Sequence, residues 1–412
     1  MATVRWRGDA AAIAQVQTIT PASIGIGNTF TVTCNGKTMT YTATDTLAAT
    51  VAAGVVALFT ANAQSLSIPE FNEVTAAVGS GTVVLTARTP GKPFTITSSA
   101  SGGTATFVSA TTTASSGPND ANIAANWSGG ALPSAADDVV FDDTDSSCLW
   151  NVDALSAVAL TSFTTTPTFS GAIGLNYDAG DYAEYRVLDF IAKATTITIN
   201  SPKCKRIRLN ASTTQTTLNV VEIGTSDTIG LPALNFIGTH ASNVVNVSKG
   251  SVGLAARSGQ SATVATLRSG YLNSPAGDVT IYAGVGLSLT TLEQSGGTVT
   301  LNGAVTTVNK YAGTLTLLNS ATITTFNHFN GHAYHRSSGT ITTYDGRAGS
   351  VLHLDADPRG RTITTLTLRA GSGFRDPAKT ATITNAVSVP DGSITDLAAG
   401  STFGPNRTYT IA

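Results

Sequence analysis

One short phrase returns between Leu289 and Leu368, and it limits what this chain can fold into more than any other feature. It reads Leu289-Thr-Thr-Leu292, Val305-Thr-Thr-Val308, Ile323-Thr-Thr-Phe326, Ile341-Thr-Thr-Tyr344 and Ile363-Thr-Thr-Leu366, with successive starts 16, 18, 18 and 22 residues apart. Gly-led alternating runs, Gly297–Leu301 and Gly313–Leu317, fall between the phrases, with polar turns at Asn302-Gly303 and Asn319-Ser320. A unit this short cannot bury its own apolar face, so neighbouring units must stack to make a core. β-branched residues favour strands, and Gly or Asn at fixed offsets favours corners. The pattern predicts a parallel β-solenoid in which each phrase adds one rung.

Composition agrees with that reading. Only 12% of residues are charged and 7% aromatic, while the apolar share is an ordinary 42%, so this is not the composition of a disordered chain. Formal net charge is −2 and the single basic block is Lys203–Arg208, which argues against a nucleic-acid binder with a concentrated basic face. Cys34, Cys148 and Cys204 are widely spaced and odd in number; buried free thiols are expected, without a disulfide framework or zinc spacing. The first residues contain no apolar signal core, and no run approaches the roughly 18 apolar residues of a membrane span. We therefore expect neither a cleaved secretory signal nor a membrane helix.

At 412 residues there is room for two or three domains. Residues 1–113 are predicted to form a small α+β domain for anchoring or assembly. Asn28–Cys34 and Lys37–Ala43 flank Asn35-Gly36, the strongest two-residue hairpin signal. A helix is expected over Thr46–Ala61, with Leu47, Val51, Val55 and Leu58 on one stripe and Asp45 as N-cap. Thr82–Ala87 and Pro93–Thr97, joined through Thr89-Pro-Gly91, and then Thr104–Val108 complete a mainly antiparallel sheet. Residues 114–137 read as linker and solenoid start, and 138–412 as the solenoid with a C-terminal cap. Irregular rungs are expected at Val158–Phe163, Thr196–Ile199, Arg206–Leu209, Thr217–Val221, Val244–Val247 and Thr263–Leu267, and the stack is expected to end through Ile383–Val389 and Thr408–Ile411.

At the junction the chain reads Asn126-Trp-Ser-Gly-Gly-Ala-Leu-Pro133 and then Asp137-Asp-Val-Val-Phe141. This pattern resembles the rung-start motif of bacterial autotransporter-type and phage-borne β-solenoid surface proteins. The resemblance covers about 16 residues, implies the beginning of a solenoid, and brings no catalytic residues with it.

Three groups carry chemistry that needs weighing. His328, His332 and His335 cluster, and His353 and Asp355 follow about one rung later. Equivalent positions on adjacent rungs lie close together, so these five could converge on a metal; the alternative is an exposed contact patch that includes Tyr334. The run Asp137, Asp138, Asp142, Asp143 and Asp145 offers oxygen ligands but lacks an EF-hand spacing, and reads as solvated residues flanking inward-facing Val139 and Phe141. Asp178, Asp181, Glu184 and Asp189 lie among Tyr177, Tyr182 and Tyr185. Carboxylates among aromatics suit either a polysaccharide-cleaving site, with Asp178, Asp181 or Glu184 as acid/base, or a contact surface.

No catalytic set, metal or cofactor follows from the sequence. The expectation is a non-enzymatic structural protein on the exterior of a phage-like virion, decorating the capsid or forming a head or tail fibre. Its expected partners are copies of itself, as a trimer, other capsid or tail proteins, and host surface glycans. The other readings are a tailspike depolymerase and a bacterial surface adhesin.

Overall fold

A computed structural model describes residues 2–63, 68–176, 186–204, 206–224, 231–270, 278–318, 321–354, 358–378 and 380–388, with the short strands Asp396–Leu397 and Thr402–Phe403. The expected tail strand Thr408–Ile411 lies outside the described residues. The chain is mainly β and is dominated by two long parallel sheets, of 14 and 11 strands among the described residues. From Ala159–Thr165 onward, successive strands alternate between the two sheets. Each turn of the chain thus adds one strand to each.

The repeated phrase accounts for the shape of its own strands. Residues three apart on a flat strand point to opposite faces. Yet both apolar ends of every phrase, from Leu289 and Leu292 to Ile363 and Leu366, are at most 2% exposed. Pairing runs from Leu289↔Val305 to Thr291↔Thr307 and skips Thr290 and Thr306. The strand turns between the two threonines, so both hydroxyls face outward and both apolar ends face in. The second threonines of the phrases stack in register as Thr291, Thr307, Thr325, Thr343 and Thr365. One column further on, Asn327 Nδ2 donates to Asn309 Oδ1 at 2.8 Å, so neighbouring turns are also joined by side-chain amides.

Second-sheet strands are short: Thr298–Leu301, Thr314–Leu317, Gly331–His335 and Ser350–His353 follow one another in parallel register. The inward residues of both sheets form one apolar cluster running from Val4 to Ile383.

Residues 14–113 hold a second apolar cluster. The Asn35-Gly36 hairpin forms as expected, with φ of 51° and 79° at its two turn residues, which is the double left-handed geometry that this dipeptide favours. The helix occupies Ala48–Ala63 and buries Val51, Ala52, Val55, Phe59 and Ala63. Leu47, expected on the buried stripe, is instead 61% exposed, because it precedes the helix; Asp45 accepts from its N–H at 2.8 Å. A single sheet was expected, but there are two antiparallel sheets of four and three strands. Val83–Ala87 pairs with Val16–Ala22 and Val74–Val78, while Ile96–Ser101 pairs with Thr29–Cys34. The Thr89-Pro-Gly91 turn therefore carries the chain from one sheet to the other rather than closing a hairpin.

Two further departures matter. Thr3–Trp6 belongs to the long parallel sheet, pairing in register with Asp138–Phe141. The stretch expected to be a linker is packed: Asp120, Ala121, Asn126 and Trp127 are at most 1% exposed. Asn126 accepts from the Ala10 N–H and donates to the carbonyls of Gly117 and Asp120, all at 2.8 Å. Trp127 meets Trp6 edge-on at 5.0 Å, and Trp6 stacks on Phe141 at 5.7 Å. The Asn-Trp pair thus ties the first strand to the end of the stack.

Charged residues join the antiparallel region to the parallel sheets. Arg186 pairs with Glu73 and donates to the Pro93 carbonyl, and Lys92 Nζ lies 3.1 Å from Glu73. The Arg186 guanidinium sits 4.8 Å from the Trp150 ring centre. Removing one member of a buried ionic cluster leaves the rest uncompensated. Arg186→Met should lower stability by about 3 kcal/mol in chemical denaturation, and Arg186→Lys, which keeps a cation beside Glu73, should lose less. An Arg186→Met variant as stable as the parent would show that this junction contributes nothing.

Candidate functional site

Strand alternation decides where each histidine goes, and it separates the group weighed as possible metal ligands. His328 ends the strand Ile323–His328 and His335 ends Gly331–His335; both point inward and are at most 2% exposed. His335 Nε2 lies 2.9 Å from the Gly339 carbonyl and its Nδ1 is 3.2 Å from Ser337 Oγ. His332 is exposed, and its Nδ1 is 3.0 Å from Nε2 of His353 on the next second-sheet strand. Of the candidate metal ligands, His332 and His353 meet. Asp355 lies outside the described residues, and among the described residues no group of three or more His, Cys, Asp or Glu is placed to hold a metal ion.

The outer pair belongs to an aromatic patch. Tyr334 is half-buried and stacks on His353 with ring centres 4.5 Å apart, and the Arg336 guanidinium lies 5.4 Å from its ring. Its ring is therefore engaged within the patch. Of the other contact candidates, Tyr177, Tyr182 and Tyr185 lie outside the described residues, as do Asp178, Asp181 and Glu184. Asp189 is described and helps to line an open groove of about 560 Å³ with Asn210, Arg257 and Gln260.

Inside the stack runs a polar column that sequence reasoning missed. Ser269, Gln294, Lys310 and His328 occupy equivalent register positions on four consecutive first-sheet strands, and none is more than 1% exposed. Ser269, Gln294 and Lys310 satisfy the carbonyls of the corner between the sheets, where the backbone leaves ladder pairing. Lys310 Nζ donates to Gly313, Asn330 and Ala312 carbonyls at 2.7, 2.9 and 3.2 Å. Gln294 Nε2 donates to Gly297 and Thr314, and Ser269 Oγ to Gly296. The available signal was the polar residue three places after the second threonine of the first three phrases, in Thr291/Gln294, Thr307/Lys310 and Thr325/His328.

Burial sets the electrostatics of this column. Desolvation lowers the Lys310 ammonium to about 8. Burial and then the Lys310 charge lower the His328 imidazole to about 3, so it is neutral at physiological pH. His328 Nδ1 lies 2.8 Å from the Tyr344 hydroxyl, whose own ionisation is pushed up by burial.

The acidic run is less solvated than expected. Val139 and Phe141 face inward, but Asp137 and Asp142 are only 7% and 6% exposed. Asp137 accepts from the Ala2 and Ser134 N–H groups and the Ser134 hydroxyl, and these bonds hold its carboxyl below the usual range. Asp142 pairs with Arg5. These carboxylates fasten the first strand to the stack. Cys34, Cys148 and Cys204 are buried free thiols, and burial raises the ionisation of Cys34 and Cys148 far above the usual thiol range. No protein-family model matches the chain, and no curated protein sequence matches it.

Proposed function

We propose that the protein is a non-enzymatic structural component of the exterior of a phage-like virion, in which a parallel β-solenoid projects as a stiff rod and the antiparallel α+β unit near its start serves assembly. The observation that carries this reading is the continuous parallel ladder of the longer sheet, whose register shifts at Ile199/Asn200 and Leu366/Thr367. Fourteen strands at the ~4.8 Å spacing between neighbours make a column of roughly 60 Å. Along it, backbone groups pair with the turns above and below, and the inward positions are mostly apolar, apart from the buried polar column at one corner. Such a column resists bending and offers proteases few unpaired backbone segments. Its outer faces are rich in threonine and poor in charge, which suits lateral packing of several copies around one axis, with a trimer as the expected assembly.

Quantitative mass spectrometry of gradient-purified particles from cells that express the gene tests the reading. Copies at a simple fraction of the major capsid protein indicate capsid decoration, and a handful per particle indicates a tail fibre. Absence from particles removes the virion assignment.

A further inference from the structure

The corner after each first-sheet strand carries one residue per turn: Ser295, Tyr311, Phe329, Arg347 and Arg369. The same backbone bond places each of them, with Ser295 N–H donating to Ser269, Tyr311 to Gln294, Phe329 to Lys310, Arg347 to His328 and Arg369 to Gly346. Equivalent side chains therefore stack. Tyr311 and Phe329 lie nearly parallel, 4.7 Å apart at 17°, and the Arg347 guanidinium is 4.4 Å from the Phe329 ring centre. The stack stops at Ser295, whose side chain is too short to continue it. A cavity of about 280 Å³ opens there, lined by Arg268, Ser269, Glu293, Ser295 and Tyr311.

Phe329 covers one face of the Tyr311 ring, and the residue remains 44% exposed, which leaves the other face to the cavity. Arg268 and Glu293 supply the polar side. Arg268 Nε donates to Glu293 Oε2 at 2.7 Å, and its Nη1 donates to Asn246 Oδ1 at 3.2 Å. That fixes the guanidinium while leaving further N–H donors and the second Glu293 oxygen directed to neither partner. The two charges offset one another, so the cleft presents donors and acceptors with little net charge.

We propose that this cleft binds one neutral pyranose ring of an oligosaccharide. A pyranose has an apolar C–H face suited to an aromatic ring and in-plane hydroxyls that both donate and accept. Tyr311 provides the ring, Arg268 the donors, and Glu293 the acceptor. A volume at the lower edge of the roughly 300–1,000 Å³ typical of small-molecule sites suits a single sugar unit. The proposal does not depend on the virion assignment, since the cleft is formed by three consecutive turns of one chain.

Saturation-transfer NMR with the full chain tests it, using a panel of neutral trisaccharides of glucose, mannose, galactose and N-acetylglucosamine, with sialyllactose as the anionic comparison. At least one neutral trisaccharide should bind. Tyr311→Ala and Arg268→Ala should each weaken it tenfold or more, Tyr311→Phe should stay within threefold, and Tyr282→Ala, an exposed tyrosine on the other sheet, should leave it unchanged. No binding by any neutral member, equal binding by Tyr311→Ala, or preference for sialyllactose would each overturn the proposal. Matching thermal transitions for parent and variants would tie any loss to the cleft rather than to unfolding.

Discussion

Ile341→Asp should abolish the folded state or reduce its stability by about 5 kcal/mol or more. Ile341 is fully buried and lies in register between Ile323 and Ile363, in a column that continues to Ile383. The substitution removes apolar burial and places a carboxyl where no water or cation reaches it, in either protonation state an expensive arrangement. Because each turn rests on its neighbours, the loss extends along the stack instead of staying local. Thr343→Asp, two residues away on the outer face, is the control and should change stability by less than about 1 kcal/mol. Urea denaturation of the two variants decides the matter: equal midpoints would mean that inward and outward positions have been misassigned.

Acid should destabilise the protein through His328. Its folded value of about 3 lies below the ordinary 6.5, so between these values the unfolded chain binds a proton that the folded chain does not. The His328 contribution is complete above pH 6.5 and is lost as the pH drops towards 3, by about 4–5 kcal/mol in total. The groups facing the imidazole are Lys310, the Tyr344 hydroxyl and, more distantly, His332; none gains negative charge in this range to offset the effect. His328→Gln should flatten the slope of unfolding free energy against pH between 6.5 and 4.5, above the range in which most carboxylates titrate. Lys310 acts at the other end of the scale. Its folded value of about 8 against 10.5 unfolded makes the unfolded chain the better proton binder between those values, so stability should rise with pH there. Parallel slopes for parent and His328→Gln would refute the acid prediction.

The repeated phrase made the first-sheet strands legible because its signal is periodic and dense in β-branched residues. Leu287–Gln294, Ala304–Lys310, Ile323–His328, Ile341–Gly346 and Arg361–Leu368 each contain one copy. Of the short second-sheet strands, Thr298–Leu301 and Thr314–Leu317 were visible as Gly-led alternating runs, and Ile207–Asn210 as the expected rung Arg206–Leu209, while others hold too few alternations to stand out. Gly331–His335 and Ser350–His353 were hidden further, since their histidines drew attention as chemistry rather than as strand residues. Convergence of His328, His332, His335 and His353 failed for a related reason: closeness in sequence says nothing about which face of a pleat each side chain takes. The inner polar column was readable only once the bend at each Thr-Thr pair was known. Thr3–Trp6 could not be seen, because four residues carry no periodicity and their partner strand lies far along the chain.

That first strand sets a timetable for folding. Thr3 pairs with Asp138, so the strand precedes its partner by 135 residues. At ribosomal rates of about 5–20 residues per second, this separation corresponds to roughly 7–27 s of synthesis. During that interval the Trp6 side chain has neither Trp127 nor Phe141 to pack against. Docking Thr3–Trp6 closes a long loop, which carries an entropic cost and slows the step. The end of the long sheet is thus sealed by a strand made well before the one that receives it.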